Sequence, residues 1–227
     1  MRKCTLTLIS LVFILISCGG GGGVEGFGEF YSVITGISGV YPTKLESDVF
    51  TKLDIDGDGV CDDISFQDDS IVVRISSQPL VPDSPDFKAS AVYFDRYKLT
   101  FVNASSANNC ERNSICKTLF STPLERLVNG VVEPNGETLL TLNVIPIDWK
   151  SNILINFCTS AADSCVYNVI LELHAVEVLS GKENWLKATF TVQIADYIKS
   201  NSIGVDENGN LIQIGKEDAN CSFQLGR

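Results

Sequence analysis

Histidine is almost missing from this chain: its 227 residues include one, His174. A Ser–His–Asp triad would have to use that residue, and no G-x-S-x-G elbow presents a serine to it. No two of the eight cysteines stand at C-x-x-C spacing, which excludes the usual thiol redox motif and, with one histidine, leaves little for zinc. Basic residues are scarce too. Seventeen Lys and Arg against 28 Asp and Glu give a formal charge of −11, so phosphate is repelled and nucleic acid is excluded as a partner. The same charge argues against the protein lying flat on anionic lipid. Gly181-Lys182 lacks the upstream glycine and the following Ser or Thr of a phosphate-binding loop. Long apolar runs are also few. Cys4 to Ile16 forms one, short of the roughly 20 residues that a spanning helix needs.

What is present begins with that run. Arg2 and Lys3 precede it, the layout of a secretory signal. It ends in Leu15-Ile16-Ser17-Cys18, which resembles the lipobox of bacterial lipoproteins: an aliphatic residue, a small residue, then an obligatory cysteine. The resemblance implies that residues 1–17 are removed as a signal peptide. It also implies a diacylglyceryl group on the Cys18 thiol and an acyl chain such as palmitate on the new N-terminus. Two chains hold a protein stably, at roughly 0.8 kcal/mol per buried CH₂. Gly19 to Gly23, Gly26 and Gly28 then read as a flexible tether, so 18–44 is expected to be lipidated Cys and linker. Gly19 stands where enterobacterial lipoproteins retained in the inner membrane carry Asp, which favours the outer membrane. The expected partner at this end is a membrane, reached through lipid.

Setting aside Cys4 in the signal and Cys18 under lipid, six cysteines remain: Cys61, Cys110, Cys116, Cys158, Cys165 and Cys221. An even number in an exported chain reads as disulfides, and six allow 15 pairings. The preferred set is two local loops, Cys110–Cys116 and Cys158–Cys165, with Cys61–Cys221 tying back the tail.

From about residue 47 onward the hydrophobic period is two. Leu186, Ala188, Phe190, Val192 and Ile194 share one face; Lys187, Thr189, Thr191 and Gln193 share the other. Tyr167, Val169, Leu171, Leu173 and Ala175 repeat the pattern, as do Leu140, Leu142 and Val144. Tyr93, Tyr97, Leu99 and Phe101 alternate likewise, interrupted by Asp95. Such alternation means strands with one covered face. Further strands are expected at Phe27 to Ile34, Asp48 to Leu53, Ile64 to Gln67, Ile71 to Ser76 and Leu211 to Ile214, between Pro, Asn and Gly turn signals. Seven or more such strands are covered most simply by two packed sheets. The expected fold is all-β: an immunoglobulin-like antiparallel β-sandwich over 45–199. A tail at 200–227 follows, with a hairpin near Glu207–Gly209. A short helix or irregular turn around Trp149 to Phe157 is compatible with the pattern.

One motif carries chemistry. Asp54-Ile55-Asp56-Gly57-Asp58-Gly59-Val60-Cys61-Asp62 fits D-x-D-x-D-G-x-x-D, spacing suited to a hard cation wanting six to eight oxygens. Asp54, Asp56 and Asp58 would face one centre, Val60 would offer its carbonyl, and Asp62 would close the shell. The twelfth position is Ser65, not the bidentate Glu of an EF-hand, and the flanks read as strands. The segment resembles instead the strand-flanked loops of integrin-type propeller repeats and thrombospondin type 3 repeats. That resemblance implies structural Ca²⁺.

His174 lies on the polar side of its strand beside Glu172, where a solvated or salt-bridged surface histidine is expected. Asp68 and Asp69 are adjacent on a strand and so face opposite ways, unlike a glycosidase pair. Trp149 and Trp185 are candidates for stacking on sugar rings. The expectation is a lipid-anchored, non-enzymatic envelope module that binds a protein or is structural. A Ca²⁺-dependent glycan-binding module, or a carboxylate hydrolase, are the alternatives.

Overall fold

Alternating apolar residues need a second surface to cover them, and the chain supplies it by crossing between two sheets. The computed structural model describes residues 25–27, 30–40, 44–53, 61, 63–79, 90–158, 163–197, 202–205 and 211–215. In chain order the elements are β1 (Glu25–Phe27), β2 (Phe30–Ser38), β3 (Lys44–Asp48), β4 (Thr51–Leu53), β5 (Asp63–Ser65) and β6 (Asp69–Pro79). After these come β7 (Val92–Asn103), α1 (Ser114–Ser121), β8 (Leu124–Val132), β9 (Glu137–Ile145) and α2 (Ile147–Asn152). Last are β10 (Cys165–Glu177), β11 (Glu183–Ala195), β12 (Ser202–Val205) and β13 (Leu211–Gly215).

One sheet has the order β1-β2-β6-β9 and the other β3-β11-β10-β7-β8. The chain changes sheets from β2 to β3, from β3 by way of β4 and β5 to β6, from β6 to β7, from β8 to β9 and from β9 to β10. This is the Greek-key crossing of an immunoglobulin-like sandwich, with β10 and β7 central in their sheet. All pairs in these two sheets are antiparallel except β3 with β11, which is parallel. Between the sheets lie Ile71, Val73 and Ile75 of β6, Leu140, Leu142 and Val144 of β9, Leu99 of β7, Val169, Leu171 and Leu173 of β10, and Leu186 and Val192 of β11. Each such side chain contributes roughly 1.5–3 kcal/mol of burial. Gly130 lets the β8 edge close on β9, because a Cβ there would meet Leu140 Cδ2 at 2.2 Å.

The expected tether is corrected by β2. Phe30–Ser38 pairs with β6 across its length, so the sandwich starts before residue 45. The strand expected at Phe27 to Ile34 is thus present, and it belongs to the sandwich rather than to the linker. The tail does form a hairpin: β12 and β13 pair antiparallel.

One end of the sandwich is closed by helices. Asn113 caps α1, its side chain accepting from the Ile115 and Cys116 amides at 2.9 and 3.2 Å. Disulfide Cys110–Cys116 ties α1 to the turn before it, and Cys158–Cys165 ties the segment after α2 to the start of β10. Both local pairings are those preferred from sequence. Phe101, Phe120, Trp149 and Tyr167 pack together here, the rings of Phe120 and Tyr167 stacked 4.2 Å apart. Trp149, half-buried, is thus part of this packing.

Lys150 of α2 is 1% exposed. Its ammonium donates to the Asp48 carbonyl at 2.5 Å and meets Asp69 Oδ2 at 2.7 Å, the oxygen that also accepts from Ser47 Oγ. One buried cation thus joins α2, β3 and β6.

Candidate functional site

In the sequence the cation motif lies between two strands that pair with each other. Thr51 pairs with Ser65, Lys52 with Ile64 and Leu53 with Asp63, so β4 and β5 bring the two ends of the acidic loop side by side. Lys52 fastens this hairpin to the end of β11 through Asp196 at 2.8 Å, and Phe50 and Phe66 pack beneath it at 6.4 Å. Cys61 is buried and disulfide-bonded. Asp54, Asp56, Asp58, Val60 and Asp62 lie outside the described residues, as do Cys18 and Cys221. Among the described residues, no three His, Cys, Asp or Glu side chains gather as a metal-ligand group.

The second cluster centres on His174, which meets carboxylates on the outer face, as one of the two readings from sequence had it, but is not solvated. His174 is 2% exposed although it lies on the outer face of its sheet. The cause is a β-bulge. Arg96 is opposite His174 but Phe94 is opposite Ala175, so Asp95 is an extra residue in β7. A bulge turns both Asp95 and Arg96 toward the outer face. Asp95 Oδ1 comes within 2.7 Å of His174 Nδ1. A carboxylate only accepts, so the imidazole donates from Nδ1 to Asp95, while its Nε2 lies 3.3 Å from the Arg96 NH2. Glu183 Oε2 stands 3.4 Å from the same Nε2. The Trp185 ring covers the imidazole at 4.8 Å, and the Arg96 guanidinium lies 5.6 Å from the indole centre. His174 is thus enclosed by charge and indole.

The bulge also resets the alternation of β7. Tyr97, Leu99 and Phe101 face the core, whereas before Asp95 the core side chains are Val92 and Phe94. Tyr93 is exposed, not buried with Tyr97 as a regular strand would have it.

One row further along this face, Lys98 and Lys187 both contact Glu172, at 3.3 and 3.1 Å. Burial works to raise the Glu172 carboxyl, but the hydrogen bonds and charges of the two lysines outweigh it and hold it below the ordinary range.

Asp68 and Asp69 diverge, although Asp68 lies just before β6 rather than on a strand with Asp69 as read from the sequence. Asp68 Oδ1 accepts from the Ile147 amide at 2.6 Å, at the start of α2, while Asp69 meets Lys150. Asp68 also borders a polar cavity of about 410 Å³ with Tyr97, Arg126, Asn143 and Asp148. The Tyr97 hydroxyl is spent there on the Asn143 carbonyl at 2.8 Å.

Trp185 and the cation hairpin occupy opposite ends of the five-stranded sheet. Trp185 is near the start of β11 and the Lys52–Asp196 contact just past its end. Ten residues of strand separate Trp185 from Ala195, about 33 Å at 3.3 Å per residue.

Comparison of the sequence with protein-family models and with curated proteins finds no match. Among the described residues no helix is long and apolar enough to cross a membrane.

Proposed function

We propose that this chain is a lipid-anchored envelope protein whose sandwich is a non-enzymatic binding or structural module, with Ca²⁺ held in the Asp54–Asp62 loop. The observation that carries the anchor is the run Leu15-Ile16-Ser17-Cys18 after a charged, apolar leader. Cys18 bears the lipid, and the glycine-rich segment before β1 spaces the sandwich from the head groups. The disulfides Cys110–Cys116 and Cys158–Cys165 agree with an oxidising compartment outside the cytosol.

The donor set of the loop suits a hard cation, and the strand pairing that ends at Leu53 and Asp63 suits the strand-flanked type. Asp54, Asp56, Asp58, the Val60 carbonyl and Asp62 would hold the ion. Without it, four carboxylates on one turn repel one another. Binding rather than catalysis is favoured by the state of the single histidine. His174 is enclosed and contacts Asp95, Arg96 and Glu183 through its two ring nitrogens, so it is poorly placed as a general base. A glycan site shared by the ion and Trp185 is disfavoured by their separation along β11.

Metabolic labelling with a clickable fatty acid tests the reading. Label on the wild-type chain that disappears in Cys18→Ala is expected. Unlabelled, soluble protein inside the cell with free thiols would overturn it.

A further inference from the structure

The outer face of the five-stranded sheet sets exposed apolar side chains beside a row of cross-strand ion pairs, Lys98 and Lys187 each meeting Glu172 within the chain. The register places Glu125 of β8, Lys98 of β7, Glu172 of β10 and Lys187 of β11 in one row across four strands. The charges in it alternate from strand to strand. The next row is Leu127, Arg96, His174 and Trp185, and beyond it Val131, Tyr93, Val176 and Glu183 line up. Leu127 is 87% exposed, and Tyr93 and Val131 are exposed beside it. Isolated apolar residues on a surface are ordinary; neighbours sharing rows of one sheet face form a patch.

We propose that this face is where two copies of the chain associate, related by a two-fold axis that runs parallel to the strands between β7 and β10. Such an axis lays each row on itself in reverse order. Glu125 then faces Lys187 of the second copy and Lys98 faces Glu172. Each contact occurs twice, as a two-fold interface demands. In the neighbouring row Leu127 meets Trp185 and Arg96 meets His174; next to that Tyr93 meets Val176, and Val131 meets Glu183, the one pair that is neither apolar nor opposite in charge. A two-fold axis lying across the strands would instead set Glu on Glu and Lys on Lys. The alternation of sign thus selects one orientation of the dimer.

The size is adequate. Four strands at about 4.8 Å and ten residues at about 3.3 Å give roughly 600 Å² of flat face, and the corrugated accessible area above it approaches the roughly 800 Å² per partner of a standard interface. Aligned sheets pack within about 30° of one another, so the central rows stay matched. The selected orientation also sends both N-termini out at the same end, as two anchors in one membrane require. That agreement leans on the lipid anchor, whereas the interface itself does not.

The test is a charge exchange followed by sedimentation of the full chain in a non-denaturing detergent. Within one chain Glu125 and Lys187 are three strand spacings apart, about 14 Å, so they have no direct contact to restore. Wild type is expected to be a dimer. Glu125→Lys and Lys187→Glu should each raise the dissociation constant about tenfold or more, and the double exchange should return it to within about threefold of wild type. Leu127→Asp should also weaken the dimer, and at so exposed a position it carries the test if Lys187→Glu disturbs the fold. A monomeric wild type, or a double exchange no better than the worse single variant, overturns the proposal. Running Cys18→Ala in parallel separates the two readings: the dimer should persist in that variant whether or not Cys18 is the lipid site.

Discussion

Asp95 reaches Nδ1 of His174 at 2.7 Å because β7 carries one residue more than β10 at that point. The extra residue has two effects. It aims a carboxylate at the imidazole, and it inverts the alternation, so that Phe94 and Tyr97 both face the core. A polar residue at an expected core position is the trace that the bulge leaves in the sequence.

His174→Ala should therefore cost roughly 3 kcal/mol, combining a cavity beneath Trp185 with an Asp95 carboxylate left without its donor. Asp95→Asn, which keeps a polar group of the same shape, should cost about 1 kcal/mol. Urea unfolding at constant m-value measures both. Equal costs would mean that the Asp95–His174 interaction accounts for the whole effect and the packing beneath Trp185 for none of it.

The Lys150 pin leads to a similar comparison. Lys150→Ala leaves Asp69 and the Asp48 carbonyl without their buried cation and should cost about 3–5 kcal/mol. Lys150→Met combined with Asp69→Asn should recover part of that, because the uncompensated charge is gone while the aliphatic volume remains. Thermal unfolding of the two variants decides it; a double variant less stable than Lys150→Ala would contradict the account.

The parts of the fold that were legible in the sequence are those with strict alternation. The faces of β9, β10 and β11 follow it residue by residue. The two short disulfides were legible from spacing. The β8 strand was not, because it is a sheet edge with Glu125, Arg126 and Asn129 exposed and Gly130 set against Leu140, which leaves no clean period. Helix α1 has eight residues and its cap, Asn113, sits in a polar stretch that reads as loop. Beyond the loop motif, the surroundings of His174 were out of reach for another reason: they come from β7, β10 and β11, with Asp95 and His174 79 positions apart in the chain.

Alkaline stability should fall in a way that the tyrosines set. Burial raises Tyr97, Tyr167 and Tyr197 above the ordinary tyrosine value. Below about pH 10 both folded and unfolded chains keep these protons, and the stabilisation is complete. Above it the unfolded chain ionises first, so each tyrosine removes up to about 1.4 kcal/mol per pH unit until its folded value is passed. Unfolding free energies between pH 8 and pH 11 (about one unit to either side of the ordinary value) should show this decline. The decline should be shallower in Tyr167→Phe. An identical slope in that variant would count against Tyr167 as a contributor.

Calcium should act on one end of the molecule. If Asp54, Asp56, Asp58 and Asp62 share an ion, ligand binding to the folded state stabilises it by RT ln(1 + [L]/Kd). The twelfth position is Ser65 rather than Glu, so affinity in the range of about 10⁻⁴–10⁻³ M is expected, typical of extracellular modules. Millimolar Ca²⁺ then adds about 1 kcal/mol, a rise of a few degrees in Tm that chelator removes. Asp54→Ala with Asp56→Ala should abolish the rise while leaving the Ca²⁺-free Tm unchanged or higher, since the carboxylates repel when empty. Amide exchange should slow in β4 and β5, which close the loop, and stay constant at Trp185 some 33 Å away along β11. A Ca²⁺ effect of equal size in the double variant would place the ion elsewhere and remove the loop from the account.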